Sequence, residues 1–466
     1  MTAYSAVVTT GIYCRPGCGA KPLARNTRTY GHPAAAEAAG FRACLRCRPY
    51  RVAAPIAAGA PELVCRAWQL IIDGVLDDGT EAALAARMGM SPRHLRRLFV
   101  QHLGATPDQL ARSRRAHFAR RLLDDTDLTV LDVAFASGFG SLRQFNRIMR
   151  EVFHASPTDL RDRRRRADRL VADGGLVLRL PFVPGYDWAA VRDFLGVRAV
   201  PGVEEVDGDT YRRTITVEGA PGVLEVSPGG GGHLLLRAHL PYWEGLIHVV
   251  GQVGRMLGVD TDHTAGVAAL SADPVLGPLV RARPGLAVPT AWSALEAAVR
   301  AVLGRGRTPR EAADRLGAIV TSLGTRVPGL PGGLTHTFPE AAAIIQADVT
   351  EEEAALIGAL AADVGREHGA VGQGHGALGH GTGPDAPVTL PYADRDLSHD
   401  LAFRLGNREA FPLGDASLRA ALADLGFDPA TCEKRWRSLA AVHLMAHGDA
   451  SLTGSGSAVR HRHRTG

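Results

Sequence analysis

Two close cysteine pairs, Cys14-x3-Cys18 and Cys44-x2-Cys47, lie within the first fifty residues of a 466-residue chain, and they constrain that end more than any hydrophobic pattern does. A segment this short buries too little apolar surface to hold itself together. Each short pair puts two sulfurs on one turn, so two pairs joined by a long loop can close a tetrahedron around zinc. The other two of the six cysteines, Cys65 and Cys432, stand alone. A tight cluster in a cytosolic chain reads as metal-binding before it reads as disulfides. From the residues alone a purely structural Zn2+ site is one reading. A redox dithiol fits less well, because the pairs lack a thioredoxin-like setting.

At 466 residues the chain is too long for one core, so several domains are expected. An Ala/Pro-rich joint, RVAAPIAAGAP, follows the cysteines, and from about 62 to 165 apolar residues recur at helical spacing with arginines between them. RDRRRRADR closes that stretch and reads as a solvated basic helix end or linker. From about 176 the period shortens: LVLRLPF, TYRRTITVEG, GVLEVSP and HLLLRAHLP are β-like runs between glycines and prolines, as in a small antiparallel sheet. Helical patterns return after about 243, and GREHGAVGQGHGALGHGTGPDA at 365–386 reads as a flexible Gly/His-rich loop, with a His-rich metal site as the alternative. No apolar stretch reaches the roughly eighteen residues of a membrane span, and MTAYSAVVTT has no signal-peptide pattern. A soluble, cytoplasmic protein without a membrane partner is expected, and its net charge of +5 favours an anionic partner.

Around the cysteines, TTGIYCRPGC, RNTRTY, AAEAAGF and CLRCRP occur in order over residues 8–49. This run resembles the N-terminal zinc domain of the Ada family of DNA alkylation-response proteins. The resemblance implies that Cys14 accepts a methyl group from a DNA methylphosphotriester, with Cys18, Cys44 and Cys47 as the remaining zinc ligands. The chemistry is coherent, because a zinc-bound sulfur is a thiolate and a nucleophile at neutral pH. Four thiolates on one Zn2+ carry a net charge of about −2, which repels ordinary phosphates but not a neutral phosphotriester. Methylation removes one negative charge, so DNA affinity is expected to rise.

EAALAARMGMSPRHLRRLFVQHLG reads as helix, glycine turn and second helix, with Ser91 and Pro92 as N-cap and first helical residue. VLDVAFASGFGSLRQFNRIMREVFHASPTDLR repeats the pattern, and ARSRRAHFARRLLDD would connect the two. The second copy resembles the AraC family signature, which implies two reading helices in successive major-groove segments. The expected DNA contacts are Arg93, His94 and Arg97 in the first copy and Ser141, Arg143, Gln144 and Arg147 in the second, some of them to phosphate rather than to bases. A solvated basic face is the plainer reading.

Residues 177–450 resemble the AlkA family of alkylbase DNA glycosylases. LRLPFVPGYDWAAVRDFLGVRAVPGVEEV looks like its small β domain, and AFPLGDASLRAAL with RWRSLAAVHLMAH looks like the end of its helical core. The resemblance implies a flipped base held against aromatic rings and a carboxylate that stabilises the oxocarbenium-like sugar. Asp415 stands at the carboxylate's position, with a plain helix N-cap as its other reading, and Trp436 is the candidate stacking ring. Several residues depart from the family pattern. LPYADRDLS replaces the Leu-Pro-Gly-Ile-Gly hairpin, so that Tyr392, Ala393 and Asp394 take the turn. The carboxylates of Asp394 and Asp396 are expected to repel phosphate, Asp396 falls where the pocket Trp would be, and Asp400 falls where an aromatic is usual. LGRGRTP replaces the Leu-Gly-Gln-Gln/Leu-Val-Ser stretch. The Ada family's second acceptor motif, Pro-Cys-His-Arg, does not occur, so O6-methylguanine repair is not expected, and Cys65 and Cys432 are expected to be ordinary helix residues.

The expected architecture is a multidomain α+β chain with a small zinc-binding α/β domain (1–52) and an all-α tandem helix-turn-helix domain (62–166). A small antiparallel β domain (176–243) and a helical helix-hairpin-helix glycosylase-like core (244–450) complete it. The expected function is methyl-triggered binding to double-stranded DNA, at promoters and at alkylated sites, and transcription of repair genes with RNA polymerase, joined to excision of 3-methyladenine-type bases. Two rivals remain open: a glycosylase merely localised by its N-terminal half, and a zinc-stabilised transcription factor without methyl transfer.

Overall fold

The computed structural model describes residues 3–20, 23–54, 60–171, 174–346, 349–368 and 394–461. The chain forms two compact units: one of Met1–Pro184, Gly229–Gly254 and Val259–Asp262, the other of Gly185–Pro228, Arg255–Gly258 and His263–Gly466.

The first unit opens with β1 (Tyr4–Val7), β2 (Ile12–Cys14), β3 (Thr27–Tyr30), helix α1 (Pro33–Ala38) and β4 (Arg42–Ala43). The strand order is β3-β1-β2-β4, with β1 antiparallel to both neighbours and β2 parallel to β4. Gly11, at φ +62°, makes the turn that returns β1 into β2. Seven helices follow: α2 (Glu62–Ile72), α3 (Glu81–Arg87), α4 (Pro92–Leu103), α5 (Pro107–Asp125), α6 (Val130–Ala136), α7 (Leu142–Phe153) and α8 (Pro157–Asp162). Thr80, Ser91, Thr106, Thr129, Ser141 and Ser156 each accept a backbone N–H at the start of a helix, which sets the boundaries of α3 to α8. Gly89 and Gly138, both left-handed, turn α3 into α4 and α6 into α7. Leu95 and Phe99 anchor α4 as Phe145, Ile148 and Met149 anchor α7, so the two copies pack alike.

The basic stretch at the end of α8 is mostly exposed, as its composition suggests, but three of its residues are tied back to the fold. Arg164 reaches the Thr126 carbonyl at 2.8 Å and Asp127 at 3.0 Å, and Arg169 meets Asp127 at 2.6 Å. Asp168 is buried and binds Arg48 at 2.7 Å. The acidic residues of the neighbouring turn recapture these arginines, which composition alone could not show.

Next come β5 (Leu176–Pro181), α9 (Trp188–Val197), β6 (Glu204–Asp207), β7 (Thr210–Val217), β8 (Ala220–Pro228), β9 (His233–His239) and α10 (Leu246–Leu257). Within the first unit β5 pairs antiparallel with β9, and Leu178 faces Leu236. Within the second, β6, β7 and β8 form an antiparallel meander. The remaining helices are α11 (Thr264–Leu270), α12 (Leu276–Ala282), α13 (Ala294–Leu303), α14 (Pro309–Leu323), α15 (Ala341–Ile344), α16 (Glu351–His368), α17 (Arg395–Arg404), α18 (Ala416–Leu425) and α19 (Arg437–His461). Beyond residue 368 the Gly/His-rich segment lies outside the described residues, as do Tyr392 and Ala393. No helix among the described residues is long and apolar enough to cross a membrane.

The second unit carries a buried ionic cluster. Arg213 is 1% exposed and binds Glu296 at 2.6 Å and Glu204 at 3.5 Å. Glu204 also pairs with Arg300 and accepts the Tyr211 hydroxyl at 2.7 Å. Burial opposes ionisation of Glu204, but Arg300 and Arg213 outweigh it and hold the carboxyl at about 2. Since that lies below its ordinary 4.5, the stabilisation is fully present above pH 4.5 and is lost as pH falls through about 2. Glu204→Ala leaves two buried guanidinium groups short of an acceptor and is expected to cost about 3–5 kcal/mol, measured as a lower urea midpoint for the second unit.

Candidate zinc, DNA-contact and base-excision sites

Parallel pairing of β2 with β4 brings the two cysteine pairs together. The Cys44 amide donates to the Tyr13 carbonyl at 2.9 Å, which sets Cys44 beside Cys14. All four Sγ atoms lie within 4.8 Å of one another. A tetrahedron with Zn–S bonds of about 2.3 Å needs sulfurs roughly 3.8 Å apart, so the cluster fits zinc with little movement. The electrostatics agree. Burial and the neighbouring Cys47 and Cys44 push the Cys14 thiol well above its ordinary range, and burial with Cys44 and Cys18 pushes Cys47 up to about 12. Four thiolates this close require a divalent cation, and the cluster is a Zn2+ site. Cys14 is buried, whereas Cys18, Cys44 and Cys47 are half-exposed.

Behind Cys14 sits a polar group that the sequence did not disclose. The Tyr13 hydroxyl donates to Glu37 at 2.6 Å, and His117 on α5 contacts the same oxygen at 2.6 Å. Burial opposes the charge on Glu37, but His117, Ser113 and Tyr13 together hold its carboxyl below the usual range. A second tie lies at the end of the zinc segment. Arg51 meets Asp124 at 3.1 Å and Asp125 at 3.0 Å, while Tyr50 donates to Asp124 at 3.1 Å. Arg120 and Arg179 reach the same two carboxylates, each at 2.6 Å.

On α4, Arg93 and Arg97 are exposed and His94 is half-buried, with an Arg97 nitrogen 2.9 Å from the His94 ring. Arg96 is held by Glu81 of α3, at 3.0 Å from Nε. On α7, Ser141, Arg143, Gln144 and Arg147 line one shallow groove. Ser141 caps the helix through the Gln144 amide at 3.2 Å, leaving its O–H to donate outward. Asn146 and Arg150 share this groove and were not singled out in the sequence; each lies three residues beyond a named candidate, Arg143 and Arg147, which was the available signal.

In the second unit a cavity of about 230 Å³ lies between α13, α14, α17 and α18. Asp415, at its edge, caps α18 by accepting the Leu418 amide at 3.0 Å. A Cβ at Gly448 would meet the Ser417 carbonyl at 1.9 Å, so glycine lets α19 close on the first turn of α18 and fix Asp415. Asp394 caps α17 through the Leu397 amide at 2.8 Å and pairs with Arg305. Its charge is therefore matched, contrary to the expectation of a bare repulsive carboxylate. Asp396 and Asp400 also line the cavity. Asp400 is 9% exposed and meets Arg404 Nε at 3.0 Å through one oxygen, while the other has no hydrogen-bond partner. Burial raises the Asp400 carboxyl above its ordinary range, Arg404 opposes the rise, and Asp415 adds to it.

Trp436 corrects the sequence reading. It is 6% exposed and absent from the cavity lining, and its ring packs so closely on Gly266 that a Cβ there would lie 2.8 Å from it. A ring enclosed this way is core packing rather than a stacking platform. Cys65 lies in α2 as expected, whereas Cys432 is a buried residue closing a 3-10 turn, where burial pushes its thiol up to about 11.

A four-thiolate zinc module, two helix-turn-helix copies in tandem and an α+β unit around a cavity lined by arginines and aspartates define a multidomain zinc-binding helix-turn-helix protein. "Metal binding domain of Ada" matches residues 2–50, "Helix-turn-helix domain" residues 84–163 and "AlkA N-terminal domain" residues 177–293. The chain belongs to the family of the Mycobacterium tuberculosis protein named "Probable bifunctional transcriptional activator/DNA repair enzyme AlkA"; the two are 36% identical over 463 residues, 94% of this chain and 91% of that one. It is also similar to the Escherichia coli "Bifunctional transcriptional activator/DNA repair enzyme Ada", at 36% identity over 134 residues, covering 28% of this chain and 37% of the relative. Among solved structures, a 3-methyladenine DNA-glycosylase from Archaeoglobus fulgidus aligns with 58% of this chain and 97% of its own, at 16% identity and a TM-score of 0.46.

Proposed function

We propose that this protein senses alkylated DNA at Cys14 and activates transcription of repair genes, and that its second unit excises damaged bases. The observation that carries the first part is the four-sulfur cluster in a segment that Glu37 and Arg51 tie to His117 and Asp124 of α5, the helix joining the two helix-turn-helix copies. Zinc, when bound, would keep the Cys14 sulfur a thiolate at neutral pH. Cys14 Sγ then attacks the methyl carbon of a phosphotriester: the S–C bond forms, the C–O bond breaks, and its electron pair stays on the phosphate as a diester anion. The cluster loses one negative charge, its repulsion of the DNA backbone falls, and α4 and α7 engage the major groove through Arg93, His94, Arg97, Ser141, Arg143, Gln144 and Arg147. RNA polymerase is the partner such an activator would recruit at the promoter.

Incubating zinc-loaded protein with a methylphosphotriester duplex is expected to add one methyl group to the Cys14 peptide, read by mass spectrometry, and none to Cys18, Cys44 or Cys47. An unmodified Cys14 would leave a zinc-stabilised transcription factor. The base-excision part is supported by Asp415 at the edge of a cavity sized for a small ring system.

A further inference from the structure

One buried arginine ties the two helix-turn-helix copies to each other. Arg115 of α5 is 3% exposed, and its guanidinium serves both. It donates to Asp77 at 3.1 Å and to the Leu76 carbonyl at 3.4 Å, ahead of α3. It also donates to the Gly138 carbonyl at 3.4 Å, in the turn between α6 and α7, and lies over the Phe139 ring. Contacts of 3.4 Å are long for a hydrogen bond, so the carbonyls alone hold this node loosely.

Residues far along the chain complete it. His248, in the first turn of α10, brings Nε2 to 2.8 Å from Asp77 and Nδ1 to 3.2 Å from the Ile72 carbonyl. Both ring nitrogens therefore face acceptors at the end of α2 and beyond it. The Ile247 carbonyl accepts from Arg114 of α5 at 3.1 Å, and the Gly245 amide donates to the Phe135 carbonyl of α6 at 3.3 Å. A Cβ at Gly138 would stand 3.0 Å from Asp77 and 3.4 Å from Ile247, so both enclose the α6–α7 turn. All of these residues belong to the first unit. The start of α10 is thus packed on α2, α5 and α6 together, and the shortest polar contact of the node is the one His248 makes.

We propose that His248 is a positioning residue for DNA recognition: with Asp77 and Arg115 it fixes α4 relative to α7, so that the two helices read one duplex in a set register. This rests on the reading of α4 and α7 as the helices that enter the major groove. Successive groove segments recur at a fixed distance along the duplex, so two reading helices must be held at a matching separation. Rigid joining makes the second engagement intramolecular, and that gain shrinks when the halves can swing. The DNA-reading frame accordingly extends past α8 to the first turn of α10.

The test uses full-length zinc-loaded protein at low salt and random duplexes of about 30 base pairs, long enough for three groove segments. The duplex that wild type selects is compared with versions carrying one or two extra base pairs between its contacted blocks. Wild type is expected to lose about 10- to 100-fold in affinity on such an insertion, the cost of misplacing base contacts. In His248→Ala and Asp77→Asn the insertion is expected to cost less than about 3-fold, while affinity for the uninterrupted duplex falls about 10-fold. His248→Gln keeps one donor and should restore part of the spacing preference. Urea midpoints check the fold. Variants that bind every duplex more weakly by one common factor, or that bind as wild type does, would overturn the role of His248 while leaving α4 and α7 on the DNA. Unchanged affinity in both Arg97→Ala and Arg143→Ala, or no duplex selected by wild type, would overturn the reading of α4 and α7 and the positioning role with it.

Discussion

Asp415→Asn is expected to slow base release about 10³-fold while leaving the urea midpoint of the second unit where it was. The substitution separates two roles of one side chain. Asp415 caps α18 through the Leu418 amide, and asparagine caps a helix about as well as aspartate. What is lost is the negative charge, which under the proposed function faces the cationic sugar of the transition state. Asp415→Ala removes the cap as well and is expected to cost about 1 kcal/mol of stability in addition. Release assays on dimethyl-sulfate-treated duplexes, run beside urea unfolding, check both statements. Equal loss of activity and stability in Asp415→Asn would mean that the residue matters only as a cap.

Stripping zinc with a strong chelator is expected to unfold β1 to β4 and to loosen the C-terminal end of α5. The sheet belongs to a segment of about fifty residues, too short for a core of its own, whose four sulfurs are gathered within 4.8 Å of one another around the ion's place. Apparent zinc-binding free energies of about 10–16 kcal/mol in comparable small domains show how much of the folding energy such an ion supplies. Metal affinity also falls with pH, because protons compete for the sulfurs, so chelation is expected to be easier at pH 6 than at pH 8, within the roughly neutral range where thiol ligands titrate. Hydrogen exchange measures the outcome: amide protection is expected to vanish across β1 to β4, to fall near Asp124 and Asp125, and to persist in α17 and α18. Protection of β1 to β4 in metal-free protein would mean that the sheet holds without its ion.

Local patterns carried much of this in the sequence. The cysteine spacing made the zinc site legible, because ligands on two tight turns leave a regular signature. The paired helices were legible for the same reason: Ser91 and Ser141 cap, Gly89 and Gly138 turn, and the apolar residues keep helical spacing. What escaped were relations between distant residues. Glu37 and His117 lie 80 positions apart, and Arg51 and Asp124 lie 73 apart, so no window contains either pair. Asp400 was seen as a lost aromatic; its enclosure beside Asp415 depends on α13, α14 and α18, which converge only in the fold. Trp436 was misjudged because an aromatic near the end of a chain reads alike whether it stacks on a ligand or on Gly266.

The carboxylates at the end of α5 have a consequence for how such a protein can diversify. Asp124 is fully enclosed, and besides Arg120 of α5 its partners Arg48, Tyr50 and Arg51 come from the last turns of the cysteine segment. Grafting another cysteine module onto this helix bundle would leave Asp124 and Asp125 to Arg120 and Arg179 alone, with the charge of Arg48 and Arg51 removed from the interior. The cysteine segment and α5 thus share one charge balance, and exchanging either part alone is expected to lower stability until the other is adjusted to match.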